Sequence, residues 1–298
     1  MRLRLVALAA LLASCGRGAE EVAKDDAPEG CRIVARDLTL PEDLREASGI
    51  AFSRTLDGVL WTHNDSGNQP RLVGIDASAH EVATLPVNAP MRDWEDLAVG
   101  PCPEGSCLYM ADIGDNGRGR DPVVLDVAAE PATAGAPLGP VRAYSAVFPD
   151  GRKHDAEALF VLPGGEVYLI SKGTDDEIDL FRWPTPLREG APATLVHVRR
   201  LAPSPSQPGD RVTGASASPD GRFVAVRTYS LVNVYRTADL VGGSATPPSP
   251  LRRTDLVPLG EPQGEGVALA DDGTVALVSE GHGSHVPGVL SLLNCPLQ

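Results

Sequence analysis

The sequence predicts an all-β fold: a five-bladed β-propeller of four-stranded blades, closed by the N-terminal strand, with a six-bladed ring as the alternative. Three observations predict it. Five segments share one plan of strand, glycine turn, strand, polar loop and third strand. Their first strands begin at Ser48, Glu95, Glu157, Thr213 and Glu265, roughly 50 residues apart, which is the scale of propeller blades. Five further apolar stretches supply an outer, fourth strand to each unit, one of them borrowed from the N-terminus.

The chain opens with "MRLRLVALAALLASC". Arg2 and Arg4 precede an apolar run far shorter than the ~20 residues a bilayer span requires, so residues 1–14 read as an export signal. Leu12-Ala13-Ser14-Cys15 resembles the bacterial lipoprotein cleavage box, which implies lipidation at Cys15. Gly16 follows with no Asp to retain the protein at the inner membrane, so the expected location is the outer membrane or cell surface. Residues 15–30 are polar and charged. They bury too little apolar surface to offset chain entropy and read as a flexible tether. The propeller domain is expected over 31–298.

The first unit is "SGIAFSRTLDGVLWTHND" followed by "RLVGID", the second "WEDLAVGPCPEGSCLYMADIGDN" followed by "VVLDVA". The third is "AEALFVLPGGEVYLISKG" with "DLFRWP", the fourth "VTGASASPDGRFVAVRTY" with "LVNVYR", and the fifth "GEGVALADDGTVALVSEG" with "GVLSLL". Gly58, Gly105, Gly165, Gly221 and Gly273 sit at the hairpins, where tight turns need a positive φ. The outer strands are "EVATLPV", "AYSAVFP", "ATLVHVRRL", "RRTDLVPL" and the N-terminal "CRIVARDLTLP". Residues 129–140 and 242–250 are rich in Pro and Gly and read as exposed loops.

Cys31, Cys102, Cys107 and Cys295 allow three pairings. Cys102 and Cys107 flank a tight turn and are natural partners, which leaves Cys31 to join Cys295 across the ring. Disulfides agree with an exported protein, and paired CxxC zinc spacing is absent. Loss of residues 1–14 leaves 24 basic against 40 acidic residues, a net charge of −16. Such a surface repels nucleic acid and attracts cations. Aromatic residues are 4 % of the chain, too few for stacking platforms. The protein is expected to be a monomer that meets the membrane through its lipid anchor alone and binds an unidentified ligand or protein.

In a propeller the first strands line the central channel, and the loops leaving the second strands share one face with the starts of the first. The turns "HNDSG" and "DIGDN" therefore point to one rim. Ser171, Lys172, Arg227, Thr228, Tyr229, Ser279, Glu280 and His282 follow from the other units. Glu95, Asp96, Asp155, Glu157 and Glu265 add carboxylates from the first strands. One pair of like charges at ~4 Å costs about 4 kcal/mol at an effective dielectric near 20. Such a ring needs basic partners, protonation or a cation, and calcium suits several oxygen ligands. The plainer reading of Asp65, Ser66 and Asn116 is that of turn residues bonding their own backbone, and of Trp94 that of a packing residue between blades.

"SGIAF", "LWTHNDSG", "DWEDLA", "LYMADIGDN", "DAEAL" and "EGVAL" resemble exported bacterial propellers of the phytase-like and esterase-like group, over about residues 45 to 298. The resemblance implies an extracytoplasmic propeller with calcium at the channel mouth. It carries over Asp65, Glu95, Asp112, Glu157 and Glu265 as cation ligands. Two functions are consistent with these residues: calcium-dependent binding of a ligand or partner without chemistry, or metal-dependent hydrolysis of phosphoesters or lactones. In the second, His63, His154 or His282 is the candidate base, and Lys172 or Arg227 the candidate holder of an anionic group. A quinone-dependent sugar dehydrogenase is a third reading.

Overall fold

The computed structural model describes residues 30–244, 246–281 and 286–298. The signal peptide, Cys15, the tether up to residue 29, and His282 lie outside the described residues.

The strands are, in chain order, β1 (Arg32–Thr39), β2 (Ala47–Phe52), β3 (Leu60–Asn64), β4 (Arg71–Ile75), β5 (Glu81–Pro86), β6 (Trp94–Cys102) and β7 (Gly105–Asp112). They continue with β8 (Val123–Ala129), β9 (Arg142–Val147), β10 (Ala156–Val161), β11 (Val167–Ser171), β12 (Ile178–Arg182), β13 (Ala193–Thr194) and β14 (Val196–Ala202). The last are β15 (Val212–Ala217), β16 (Phe223–Thr228), β17 (Leu231–Arg236), β18 (Arg252–Asp255), β19 (Gln263–Leu269), β20 (Thr274–Glu280) and β21 (Val289–Asn294).

They form five antiparallel sheets: β2-β3-β4-β5 (blade I), β6-β7-β8-β9 (II), β10-β11-β12-β14 (III), β15-β16-β17-β18 (IV) and β19-β20-β21-β1 (V). The ring is closed. β2 touches β6, β6 touches β10, β10 touches β15, β15 touches β19, and β19 returns to β2. The five hairpin glycines named above all have positive φ, from 72° at Gly58 to 108° at Gly105.

The core is divided among the seams between blades. Trp61, Leu72, Leu97 and Leu108 fill seam I/II. Tyr109, Leu125, Leu159 and Phe181 fill II/III, and Phe160, Ile170, Val224 and Val226 fill III/IV. Phe223, Val234, Val267 and Leu277 fill IV/V, and Ile50, Val73, Val278 and Leu290 close V/I. An inner or middle strand thus packs a neighbour on both faces, which is why β3, β10, β11 and β16 are buried along their whole length. Outer strands are wet. β1 is exposed at most positions.

Blade V is completed by β1 beside β21, and Cys31 is bonded to Cys295 across that pairing, with Cα atoms 4.2 Å apart. Cys102 and Cys107 are joined across the blade II hairpin at 5.8 Å. The stretch "ATLVHVRRL" does not act as one strand. Ala193 and Thr194 pair in parallel with β9 of blade II, and only Val196–Ala202 completes blade III. Leu195, 1 % exposed in seam II/III, is the pivot between the two pairings. A one-turn helix, α1 (Thr237–Val241), precedes the Pro/Gly-rich loop and sinks Leu240 into seam III/IV. Among the described residues, no helix is long and apolar enough to cross a membrane.

Candidate functional site

All five inner strands break register at the same place. The interruptions lie between Ala47 and Ile50, Trp94 and Asp96, Ala156 and Ala158, Val212 and Gly214, and Gly264 and Val267. A bulge re-aims the side chain that it displaces. The displaced residues include Ser48, Glu95, Glu157, Thr213 and Glu265, one from each blade. The two hydroxyls turn sideways: Ser48 donates to the Glu95 carbonyl at 2.5 Å, and Thr213 to the Glu265 carbonyl at 2.9 Å. The three glutamates line the mouth.

The mouth is a cavity of about 330 Å³. Glu95, Glu157 and Glu265 share its wall with Asp65, Lys172, Tyr229 and Glu280, and Asn116, Thr174, Arg211 and Gln263 complete it. Five carboxylates therefore face two cationic side chains. A wider hollow of about 890 Å³ flanks it over blades I and V and shares Gln263 and Glu280. Its arginines are already engaged, Arg45 with Glu42 at 2.6 Å and Arg71 with Asp43 at 2.5 Å. The narrower mouth is where uncompensated charge converges.

Burial dominates the electrostatics there. It pushes Asp65 up to about 6, Glu280 up to about 7 and Glu157 up to about 8, the last against the opposing pull of Lys172. Glu95 and Glu265 are raised well above the carboxylate range by burial first and by Glu157 second. Burial lowers Lys172, but Glu157 at 2.7 Å outweighs it and holds the ammonium above the ordinary lysine range.

One corner of the mouth differs from the rest. Asp65, Asp93 and Glu95 each present a carboxylate oxygen, all within 4.8 Å of one another. Glu95 Oε1 is buried and has no hydrogen-bond partner. The Gly114 backbone is packed so closely that a Cβ there would collide with Glu95 Oε1 and Asp93 Oδ2. A hard divalent cation fits this donor set, because calcium takes several carboxylate and carbonyl oxygens in flexible geometry. An unpartnered buried carboxylate oxygen is otherwise costly.

The structure brings together Asp65, Glu95, Glu157, Glu265 and Lys172 from the sequence-based set, and places four other candidates elsewhere. Asp112 is paired with Arg120 at 2.7 Å and accepts the backbone N–H of Asp93 at 2.8 Å. It supports the loop that carries Asp93 and does not line the mouth. Arg227 is fully buried between blades IV and V. It donates to the Gly266 and Val278 carbonyls at 2.8 and 2.9 Å and pairs with Glu261. His63 is buried beneath the mouth, edge-on to Trp94, with Nδ1 2.9 Å from the Asn64 carbonyl oxygen. Burial pulls it down to about 4, so it is neutral. His154 packs against Phe148 and Phe181 in seam II/III, with Nε2 3.0 Å from Asp150.

The sequence-based set missed Asp93, Gln263 and Arg211. Asp93 had a readable signal. It stands two residues before Glu95, and alternate residues of an extended chain face the same side.

No protein-family model and no curated protein sequence matches the chain. Among solved structures, the PQQ-bound form of an aldose sugar dehydrogenase from Streptomyces coelicolor superposes with a TM-score of 0.50 at 12 % identity, over 89 % of this chain and 98 % of that one. A luciferin-regenerating enzyme superposes at 0.47, also at 12 % identity, over 90 % and 95 % of the two chains. At such identity the first likeness shows the β-propeller fold and nothing finer.

Proposed function

We propose that this protein is an exported, lipid-anchored propeller whose mouth binds calcium and, through it, a ligand or partner. The observation that carries the reading is the Asp65–Asp93–Glu95 corner with its buried, unpartnered Glu95 oxygen. Three carboxylates so close repel one another strongly, and a divalent cation turns that repulsion into attraction. Titration calorimetry of calcium into metal-stripped protein tests it. Binding is expected in the wild type and is weakened at least tenfold in Glu95→Gln; no heat and no change in melting temperature in the wild type would refute it. The export half rests on residues 1–15 and agrees with two disulfides, which persist in oxidising compartments. Radiolabelled palmitate incorporation that is lost in Cys15→Ala tests the anchor.

A second reading, metal-dependent hydrolysis of phosphoesters or lactones, is favoured by one observation. Glu157, pushed up by burial, lies in the mouth and accepts a hydrogen bond from Lys172 Nζ at 2.7 Å. A buried carboxyl group paired with an ammonium inside the cavity is placed to hold or pass on a proton, a role the buried His63 and His154 are not placed to fill. A bound cation would polarise the substrate. Glu157 would hold or take the proton at its carboxyl oxygen, and Lys172 would keep its orientation. Activity on a phosphoester and lactone panel that vanishes in Glu157→Gln supports this reading; full activity in that variant removes Glu157 from it. A polyanionic quinone would meet five carboxylates against two cations in this mouth, so the quinone reading has the weakest chemical support.

A further inference from the structure

We infer that Asp96 is the positioning residue of the mouth: its carboxylate crosses the channel floor and pins the inner strands of blades II, III and IV, so fixing where Glu95 and Glu157 stand. The inference rests on the reading of the mouth as a cation site.

The argument begins with sheet edges. The innermost strand of each blade is an edge, and its outward N–H and C=O groups face the axis without a ladder partner. Ser48 and Thr213 satisfy two of the carbonyls, as described above. The N–H groups of Leu159 in blade III and Ala215 in blade IV are both taken by one oxygen, Asp96 Oδ2, at 2.8 and 3.0 Å. The other oxygen, Oδ1, accepts the N–H of Leu97 at 2.8 Å. One side chain thus joins three blades.

It is alone in its row. The residues that follow the mouth row are Gly49, Asp96, Ala158, Gly214 and Gly266. Strand approach leaves no space for more. A Cβ at Gly49 would strike the Leu97 nitrogen, one at Gly266 would strike the Ser48 carbonyl oxygen, and one at Gly214 would sit 2.9 Å from the Glu265 carbonyl oxygen. Asp96 itself has no measurable exposure, and among the described residues no Lys, Arg or His lies within ion-pair distance of it. Three backbone N–H donors, at 2.8 to 3.0 Å, are its whole hydrogen-bonding support. Glu95 is the preceding residue on the pinned strand, and Glu157 is two residues before the pinned N–H of Leu159.

Asp96→Asn keeps the size and removes the symmetry. An amide NH₂ must then face at least one of the three N–H donors. Calcium affinity by calorimetry at 15 °C, with near-ultraviolet circular dichroism as the check of the fold, is expected to fall at least tenfold. Terbium luminescence lifetimes in H₂O and D₂O should show at least one more water on the bound ion, a change that lower stability alone does not produce. A folded Asp96→Asn protein with affinity within twofold of wild type and the same lifetimes overturns the inference. Should that variant not fold, wild-type hydrogen exchange decides. The Leu159 and Ala215 amides must be protected like ladder amides, and exchange at loop rates refutes the pin. If the wild type binds no cation, the cation reading falls and the same two amides still judge the pin by themselves.

Discussion

Single residues in this propeller carry opposite roles at almost the same polarity. Glu95 and Asp112 are both buried acids near the mouth. One has an oxygen without a partner, and the other is saturated by Arg120 and two backbone N–H groups. Sequence alone assigned both to a cation. The difference lies in side-chain direction at two neighbouring strand ends, which the run of polar residues does not encode. Gly114 offers a sharp test of the corner. Gly114→Ala forces a methyl group against Glu95 and Asp93, so calcium affinity should drop at least tenfold in calorimetry while the fold survives. Asp126 gives a pH test away from the mouth. Both its oxygens are buried without partners, and burial first, then Asp112, pushes it up to about 7. The sign follows from linkage. Below about pH 4 the carboxyl is neutral folded and unfolded, and has no effect. From there to about 7 the unfolded chain releases its proton and the folded one keeps it, so stability falls as pH rises, and the loss is complete above 7. The total is at most about 4 kcal/mol. Asp126→Asn should therefore raise the melting temperature at pH 8 and leave it nearly unchanged at pH 4. Equal shifts at both pH values would show that Asp126 keeps an ordinary carboxylate value.

At the scale of strands, repetition made the fold readable. Hairpin glycines, apolar runs and a constant spacing mark each blade. The starts of the first strands were readable for the same reason, since five bulges put five comparable residues into one row. Residues on second strands were harder. Arg227 follows the polar-rim pattern at the end of β16, yet its side chain turns into seam IV/V and staples β16 to the carbonyls of β19 and β20. A seam consumes polar groups as well as apolar ones, and one strand's sequence does not show what the next blade needs. The split of "ATLVHVRRL" has the same origin, because Leu195 is claimed by the seam rather than by either strand. Arg227→Met tests the staple. It leaves Glu261 buried without its partner, which costs about 3–5 kcal/mol when a buried pair is broken. Chemical denaturation should show that loss. Calcium affinity should stay within about twofold, since the Asp65–Asp93–Glu95 corner lies on blades I and II.

For the whole molecule, closure is the step on which the mouth depends, and it is made by the chain's two ends. Blade V is the one whose outer strand comes from the N-terminus, and β1 is held to β21 by ladder bonds and by Cys31–Cys295. The bridge spans a sequence separation of 264 residues, the one in the blade II hairpin only 5. Chain entropy then assigns an upper bound of about 5.6 kcal/mol to the first and about 2 kcal/mol to the second. A Cys31→Ser/Cys295→Ser double variant should lose clearly more stability in urea than Cys102→Ser/Cys107→Ser. Its β1 and β21 amides should be the first to exchange hydrogen, because that pairing inside blade V is where the chain's two ends meet. Calcium should restore part of the loss in both variants, by about 2.7 kcal/mol at a hundredfold excess over Kd, because the cation binds the closed ring and not the unfolded chain. Equal stability of the two double variants would mean that hydrophobic burial around blade V, rather than the covalent tie, holds the ring shut.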